Sequence, residues 1–543
     1  MTNEVMFIFL ISLIATASPL NVLILHPIYS GSHVLTLQSL ASNLLSQGDS
    51  VTTIRYKDNH NLHLPSHHNH TQMLRALDNS KGKYPYLTIE ERAVFELPQE
   101  LLWSKGLNIF TILKAMDAWK VMDGFCEDIL GDKTLFENLQ EEQFDVVVVD
   151  LIYNECSLAL ARKLSVPVVG YWAFSFASGP QVFTTAPAPP SFVPGFMSKV
   201  SDQMDFWDRS HNLMLNICGK VLMNFHDWYI SGLIAKYMET PMKGSEILND
   251  ISGLLINTDF VLDFPRPMPP SFINIGGLQI NPRQKKLPFY MKSFLDGADE
   301  GAILFSMGFI FNPTIVPHER VEAFLSAFKK LPQRVVFKYD LNYNLSLKVP
   351  DNVMMVPWVP QQAVLAHHNL NLFLTHCGMH GVLEAIYYGV PMVGMPVFID
   401  QGDVLVRIEE KEIGVGIDKF ADTDEIVAAI RKVNSDPKYK VNIDQLSATM
   451  KDRQNTPMED AMWLLNHVSK TKGAEHLKIK SGRLSFIQYF CLDCIVLFFS
   501  VSLIILWGLY KIGSNVIKLK SPKKRSKQPM ATNGNYHHQK KIN

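Results

Sequence analysis

Residues Trp358 to Gln401 read WVPQQAVLAHHNLNLFLTHCGMHGVLEAIYYGVPMVGMPVFIDQ, and this stretch decides the fold. The apolar run from Leu372 predicts a strand that ends at Thr375-His376. Cys377-Gly378 makes a turn, and a helix is expected from about Met379 to Tyr388. Gly389 stops that helix and Pro391 opens the next strand. The helix start then points its free amides at the carboxyl end of the sheet, an anion site suited to a diphosphate. Glu384 lies about one and a half turns in, where a carboxylate can accept two hydroxyl protons from a ribose. Asp400-Gln401 close the next strand with an acceptor and an amide donor for sugar hydroxyls. Trp358 offers a flat face to a base.

Units of the same kind surround this stretch. Ala302–Phe305, Arg334–Lys338 and Met392–Pro396 read as further strands of one α/β half. Near the start, LNVLILH from Leu20 to His26 predicts a strand, and Pro27 to Ser32 a turn. From His33 the spacing of Val34, Leu35, Leu37, Leu40, Leu44 and Leu45 predicts a helix ending near Gln47-Gly48. Val51 to Arg55 follows as a second strand. DVVVVD at Asp145–Asp150 is a buried strand, and Pro167–Tyr171 another. Residues 195–240 are amphipathic and helical; they could line an apolar pocket or touch a membrane, with plain core packing expected for any one of them. Gly276-Gly277 and the polar run Asn281–Leu287 read as a linker. The sum is two facing Rossmann-like α/β domains with a cleft between them.

The ends carry addresses. MFIFLISLIA at Met6–Ala15, followed by Ala15-Thr16-Ala17, reads as a signal peptide cut after about Ala17, with an uncleaved anchor as the rival reading. Residues 490–510 form an apolar stretch long enough to cross a bilayer as a helix. The 33 residues from Lys511 hold nine Lys or Arg and no Asp or Glu, which places that end in the cytosol and the bulk of the chain in the lumen. Lys540-Lys541 has the spacing of a dilysine retrieval signal of the endoplasmic reticulum, or is a chance pair in a basic tail. A formal net charge of −1 excludes the whole chain as an electrostatic partner of nucleic acid. Six cysteines show no metal or redox spacing, so disulfides are not expected to be the basis of the fold. Asn69-His70-Thr71 and Asn344-Leu345-Ser346 are acceptor triplets for N-glycans, compatible with a luminal place.

On Trp358, Gln361, the Thr-His-x-Gly turn, Glu384, the Gly-x-Pro pair and Asp400-Gln401, the stretch resembles the donor-binding signature of the UDP-glucuronosyl/UDP-glucosyltransferase family. Asp263-Phe264-Pro265-Arg266-Pro267, Ile275-Gly276-Gly277-Leu278, Leu331-Pro332-Gln333-Arg334 and a Trp463-containing segment extend the likeness over nearly the whole luminal chain. The resemblance implies the GT-B fold. Residues 18–275 would be the acceptor domain, 276–455 the UDP-sugar domain, 456–489 a helix and juxtamembrane segment, and 511–543 a cytosolic tail. It implies that Trp358 stacks on uracil and Gln361 contacts the base. His376 would touch the diphosphate, Glu384 the ribose, and Asp400 and Gln401 the transferred sugar. Ser306, Gly378 and His380 complete the expected donor-binding set.

An alcohol attacks an anomeric carbon poorly unless its proton is removed in flight. His33, where the first helix begins, can take a proton near neutral pH. Asp150 at its strand end can orient that imidazole. The resemblance places the family's base and acid at these positions; His26 is the rival base, and a strand-end cap the rival role for Asp150. The expected enzyme is thus an inverting hexosyltransferase of the endoplasmic-reticulum membrane. Its donor is a UDP-sugar, glucose first, with glucuronate and galactose open. Its acceptor is a small lipophilic alcohol, in detoxification or in hormone or secondary-metabolite conjugation. No cofactor and no metal is required. Asp422-Thr423-Asp424 reads as a helix N-cap rather than a metal motif. Association with itself or a related chain stays open.

Departures from the family pattern stand at Cys377 (usually Gly), His380 (often Asn or a small polar residue), Phe309 (usually Ser) and Val404 (often Asn). Each is expected near the nucleotide, and together they leave room for altered donor choice or weakened activity; Phe309 and His380 support the alternative of a weakly active or inactive partner subunit.

Overall fold

The computed structural model describes residues 19–26, 31–56, 73–77, 103, 126–152, 154–174, 186–238, 242–283, 286–308, 316–339, 348–397, 399–479 and 484–520. The expected signal peptide, the Asn69 and Asn344 triplets, Phe309 and the tail with Lys540-Lys541 lie outside the described residues. Residues up to Gly482 form one compact unit and those from Arg483 a second.

In the first unit the strands make two all-parallel sheets. One contains β1 (Asn21–Leu25), β2 (Ser50–Tyr56), β3 (Met73–Leu77), β4 (Val146–Asp150), β5 (Val168–Trp172), β6 (Gly253–Ile256) and β7 (Phe272–Asn274). Its order is β3-β2-β1-β4-β5-β6-β7. The other contains β8 (Ala302–Ser306), β9 (Arg334–Lys338), β10 (Val353–Val356), β11 (Leu370–Thr375), β12 (Met392–Gly394) and β13 (Gly414–Gly416). Its order is β10-β9-β8-β11-β12-β13. The strand order reverses between β1 and β4 in one sheet and between β8 and β11 in the other. Such switch points open a crevice at the carboxyl ends of the strands.

The strands read as unbroken apolar runs because helices cover both faces. Every residue of VVVVD in β4 is buried, as is every residue of AILFS in β8. Helix α1 (Gly31–Ser46) covers β1 and β2 through Leu37, Leu40, Ala41 and Leu44, close to the span the periodicity gives. Helix α2 (Phe206–Ile234) departs from core packing. Phe206, Trp207, Met214, Ile217, Val221, Leu222 and Trp228 are exposed, Trp207 by 74 %. Positions 207, 214, 221 and 228 recur every seventh residue, which sets them along one side of the helix.

Helix α3 (Met379–Tyr388) has the bounds read from the sequence, and Gly389 ends it in the left-handed region at φ 70°. Helix α4 (Gln401–Glu410) follows β12. The chain then returns: α5 (Pro457–Lys470) packs Ala461, Leu464, Leu465 and Val468 into the core of the first sheet with Val146, Val148 and Leu255. Arg453, just ahead of it, bonds Asp259 at 2.9 Å and the Asn274 carbonyl at 3.0 Å.

Asp422 caps the helix Thr423–Ser435 in a capping box with Glu425, as its sequence suggests. Cys126 and Cys156 form a disulfide, a pairing that the 30-residue separation did not announce. In the second unit, α6 (Leu492–Lys520) is long and apolar enough to cross a membrane, and none of its window is buried. It runs ten residues beyond the expected end at Tyr510, so Lys511, Lys518 and Lys520 lie on the helix.

Candidate active site

The dyad stands at the first switch point. His26 follows β1 and Asp150 closes β4, its neighbour. His33 lies in the first turn of α1. Its Nδ1 is 2.7 Å from Asp150 Oδ2, and the ring is only 5 % exposed. Tyr171 and Phe174 meet it edge-on, at 6.2 and 5.8 Å between centres. Burial alone would raise the Asp150 pKa. The His33 charge and the hydrogen bonds of both histidines outweigh burial and hold the carboxyl well below its usual range. An ionised carboxylate only accepts, so the His33 Nδ1 carries a hydrogen, and in the neutral form of the ring Nε2 holds the lone pair. Asp150 is therefore more than a strand-end cap: its side chain spans two histidines.

The second switch point gathers residues expected to bind the donor. Ser306 closes β8 opposite Thr375 of β11 and is buried. His376 follows β11, and its ring packs against two glycines. A Cβ on Gly308 would stand 2.7 Å from His376 Cε1, and one on Gly378 would strike Nε2. Side chains at either place would evict the imidazole. Burial, then the Lys338 charge, lowers the His376 pKa to about 4, so near neutral pH the ring is uncharged and would offer an anion a hydrogen bond rather than a charge. The cation beside it is Lys338, which the sequence reading missed. Its Nζ donates to the Gly308 carbonyl at 2.8 Å, and burial lowers its pKa to about 8. The only signal was a lysine closing the apolar strand VVF at the carboxyl edge.

Cys377 is buried at φ 65°, a region that favours glycine. This explains why Gly is the usual residue there. Val404 is fully buried in the core of the second lobe.

Trp358 is 51 % exposed. Glu384 is buried and accepts three amides: Gln361 Nε2 at 2.8 Å, Gln362 Nε2 at 3.2 Å and Gln279 Nε2 at 3.4 Å. Gln361 thus reaches Glu384, its neighbour in the expected nucleoside site. Asp400 is buried next to Asp403; burial first, then that like charge, raises its pKa to about 7. Gln401 Oε1 accepts the Val397 N–H at 2.7 Å.

His380 joins the lobes. Asn257 Nδ2 donates to its Nδ1 at 3.0 Å, which leaves the hydrogen on Nε2 to reach Thr36 Oγ1 of α1 at 2.8 Å. Burial, then the His33 charge, lowers its pKa to about 3. Asp403 also crosses, accepting the Met197 and Lys199 N–H groups at 2.8 Å each. Arg407, 0 % exposed, donates through Nε to Asp263 at 2.6 Å. The His33–Asp150 pair of one lobe and the residues expected to bind the donor in the other thus stand on either side of a bonded seam.

With two parallel sheets meeting at their switch points, the comparison with known proteins is decisive. The family described as "UDP-glucoronosyl and UDP-glucosyl transferase" matches residues 21–526. The chain belongs to the UDP-glycosyltransferase family. Among the relatives of this UDP-glycosyltransferase, UDP-glucuronosyltransferase 1A10 of Homo sapiens is 30 % identical, covering 89 % of both chains. UDP-glucuronosyltransferase 2B23 of Macaca fascicularis is 31 % identical over 86 % of this chain and 87 % of its own. Among solved structures, Os79 from O. sativa in complex with U2F and trichothecene has a TM-score of 0.57 at 16 % identity, over 82 % of this chain and all of the other. A UDP-glucosyltransferase from Polygonum tinctorium has a TM-score of 0.56 at 16 % identity, over 84 % of this chain and 99 % of the other. These likenesses show the GT-B fold. The UDP-glycosyltransferase is thus an enzyme that passes sugar from a UDP-sugar to an acceptor.

Proposed function

We propose that this transferase moves a hexose, glucose first, with inversion, from its UDP ester to the hydroxyl of a small lipophilic acceptor. The observation that carries the reading is the 2.7 Å bond from His33 Nδ1 to Asp150 Oδ2. It leaves Nε2 as the acceptor for the alcohol proton. As that proton moves to Nε2, the alcohol oxygen forms its bond to the anomeric carbon from the face opposite UDP. The bond to UDP breaks and its electron pair leaves on the diphosphate. Asp150 steadies the imidazolium that results.

In this reading Trp358 stacks on uracil, Gln361 contacts the base and Glu384 takes the ribose hydroxyls. His376, Ser306, Gly378 and the start of α3 meet the diphosphate, and Lys338 adds a positive charge there; His380, expected in this set, has both ring nitrogens bonded across the seam and holds the lobes together beside it instead. Asp400 and Gln401 hold the sugar. Glucuronate is the second donor to test, because the similar human and macaque proteins are named glucuronosyltransferases.

The place we infer is the endoplasmic-reticulum membrane, with the lobes in the lumen and a role in conjugating lipophilic compounds. The Cys126–Cys156 disulfide supports an oxidising compartment. The exposed apolar side of α2 suits a lipid surface, and α6 is by itself long and apolar enough to cross a bilayer. Microsomes expressing the chain, given UDP-glucose or UDP-glucuronate and a panel of phenols, test the reading. Acceptor-dependent UDP release that vanishes in His33→Ala supports it. No release with any donor leaves the partner-subunit alternative; release unchanged in His33→Ala removes His33 as the base.

A further inference from the structure

One buried histidine has no task in this mechanism. His26 follows β1, and its backbone N–H is held by the Ile54 carbonyl at 3.1 Å. Its ring is buried, and Nδ1 stands 3.0 Å from Asp150 Oδ2. That is the oxygen which His33 Nδ1 approaches at 2.7 Å. The two rings lie 6.4 Å apart, 26° from parallel. His26 Nε2 is buried and meets no hydrogen-bond partner among the described residues.

These contacts fix the chemistry. The ionised carboxylate makes His26 Nδ1 a donor, as it does His33 Nδ1. One carboxylate oxygen therefore takes two N–H bonds, while among the described residues Oδ1 receives the Ile152 N–H alone, at 3.4 Å. The same geometry sets His26 aside as the base. Its free nitrogen is enclosed, and α1 presents the rival ring at the seam, where Thr36 reaches His380. A carboxylate bonded by His33 alone could rotate about its Cα–Cβ and Cβ–Cγ bonds. A second donor, anchored on the strand next to β4, removes that freedom.

We propose that His26 is a positioning residue for sugar transfer: its Nδ1–H clamps Asp150 Oδ2 in line with His33 Nδ1, and so aims His33 Nε2 at the acceptor hydroxyl. The proposal rests on the reading of His33 as the base.

The test uses the full chain in microsomes with UDP-glucose, or UDP-glucuronate if that is the donor used, and a phenol that the wild type accepts. Three variants divide the roles of the ring: His26→Asn puts an amide nitrogen where Nδ1 stood, His26→Gln puts one where Nε2 stood, and His26→Phe keeps a ring without a donor. We expect His26→Asn to hold kcat within about threefold of wild type, and His26→Gln and His26→Phe to lose about tenfold or more. The KM for the UDP-sugar stays unchanged in all three. If Asn and Gln behave alike, or if KM moves together with kcat, the proposal is overturned; the Asn–Gln comparison stands even where His26→Phe fails to accumulate. His33→Ala is run beside them. Activity surviving in His33→Ala removes the base reading itself. A dead His33→Ala beside indistinguishable Asn and Gln variants removes only the role of His26.

Discussion

Lys338 Nζ lies 5.1 Å from the centre of the Trp358 ring, so a buried cation and an exposed aromatic face share one corner of the second lobe. The lysine closes β9, two strands from the one His376 follows, and burial has already lowered its pKa to about 8. Below that pH it is an ammonium in the site proposed for the diphosphate; above it, a neutral amine. We expect Lys338→Met to weaken UDP binding about tenfold by calorimetry, the equivalent of ~1.4 kcal/mol. In wild type the KM for the UDP-sugar should rise as pH climbs through 8, and Lys338→Arg should abolish that rise.

Asp400 carries the opposite perturbation. Its pKa is raised to about 7, so the folded chain keeps a proton that the unfolded chain loses near its ordinary value of 3.8. The stability tied to that proton is fully present below about 4 and is lost as pH rises to 7. Asp400→Asn should therefore melt about 2–4 °C or more above wild type at pH 8, with the gap closing toward pH 4. The same variant should transfer sugar more slowly, since a buried acid of this kind is kept for its work on the ligand. Thermal melts across pH, run beside transfer assays, check both halves.

Arg407 is the largest fully buried side chain, and it is paired with Asp263. Arg407→Leu strands that carboxylate and should destabilise the chain by about 3–5 kcal/mol. Adding Asp263→Asn should recover part of the loss. A lower melting temperature in the single variant than in the double one is the expected outcome.

The elements legible in the sequence are those whose logic is local. Thr375 to Pro391 gives its strand end, turn, helix and stop from neighbouring residues, and α3 has the predicted bounds. The same holds for β1, α1 and β2. What escaped depends on partners far along the chain. His26 and Asp150 are 124 residues apart, and Asp263 and Arg407 144. The return of α5 to the first sheet has no local sign, because its apolar stripe would suit either lobe. Lys338 was passed over since a single lysine at a strand end is ordinary until the fold places it beside His376. For α2, amphipathic spacing pointed to core packing, but the spacing only says that apolar residues share a side; which side meets solvent is set by tertiary context.

The central claim is a division of labour: one lobe holds UDP while His33 of the other removes the acceptor proton. Purified His33→Ala separates the two when its UDP affinity and its single-turnover transfer are measured on the same sample. The account predicts a Kd for UDP within about twofold of wild type and a transfer rate lower by roughly 10²–10⁴. Transfer within a few-fold of wild type, with UDP still bound, would contradict it.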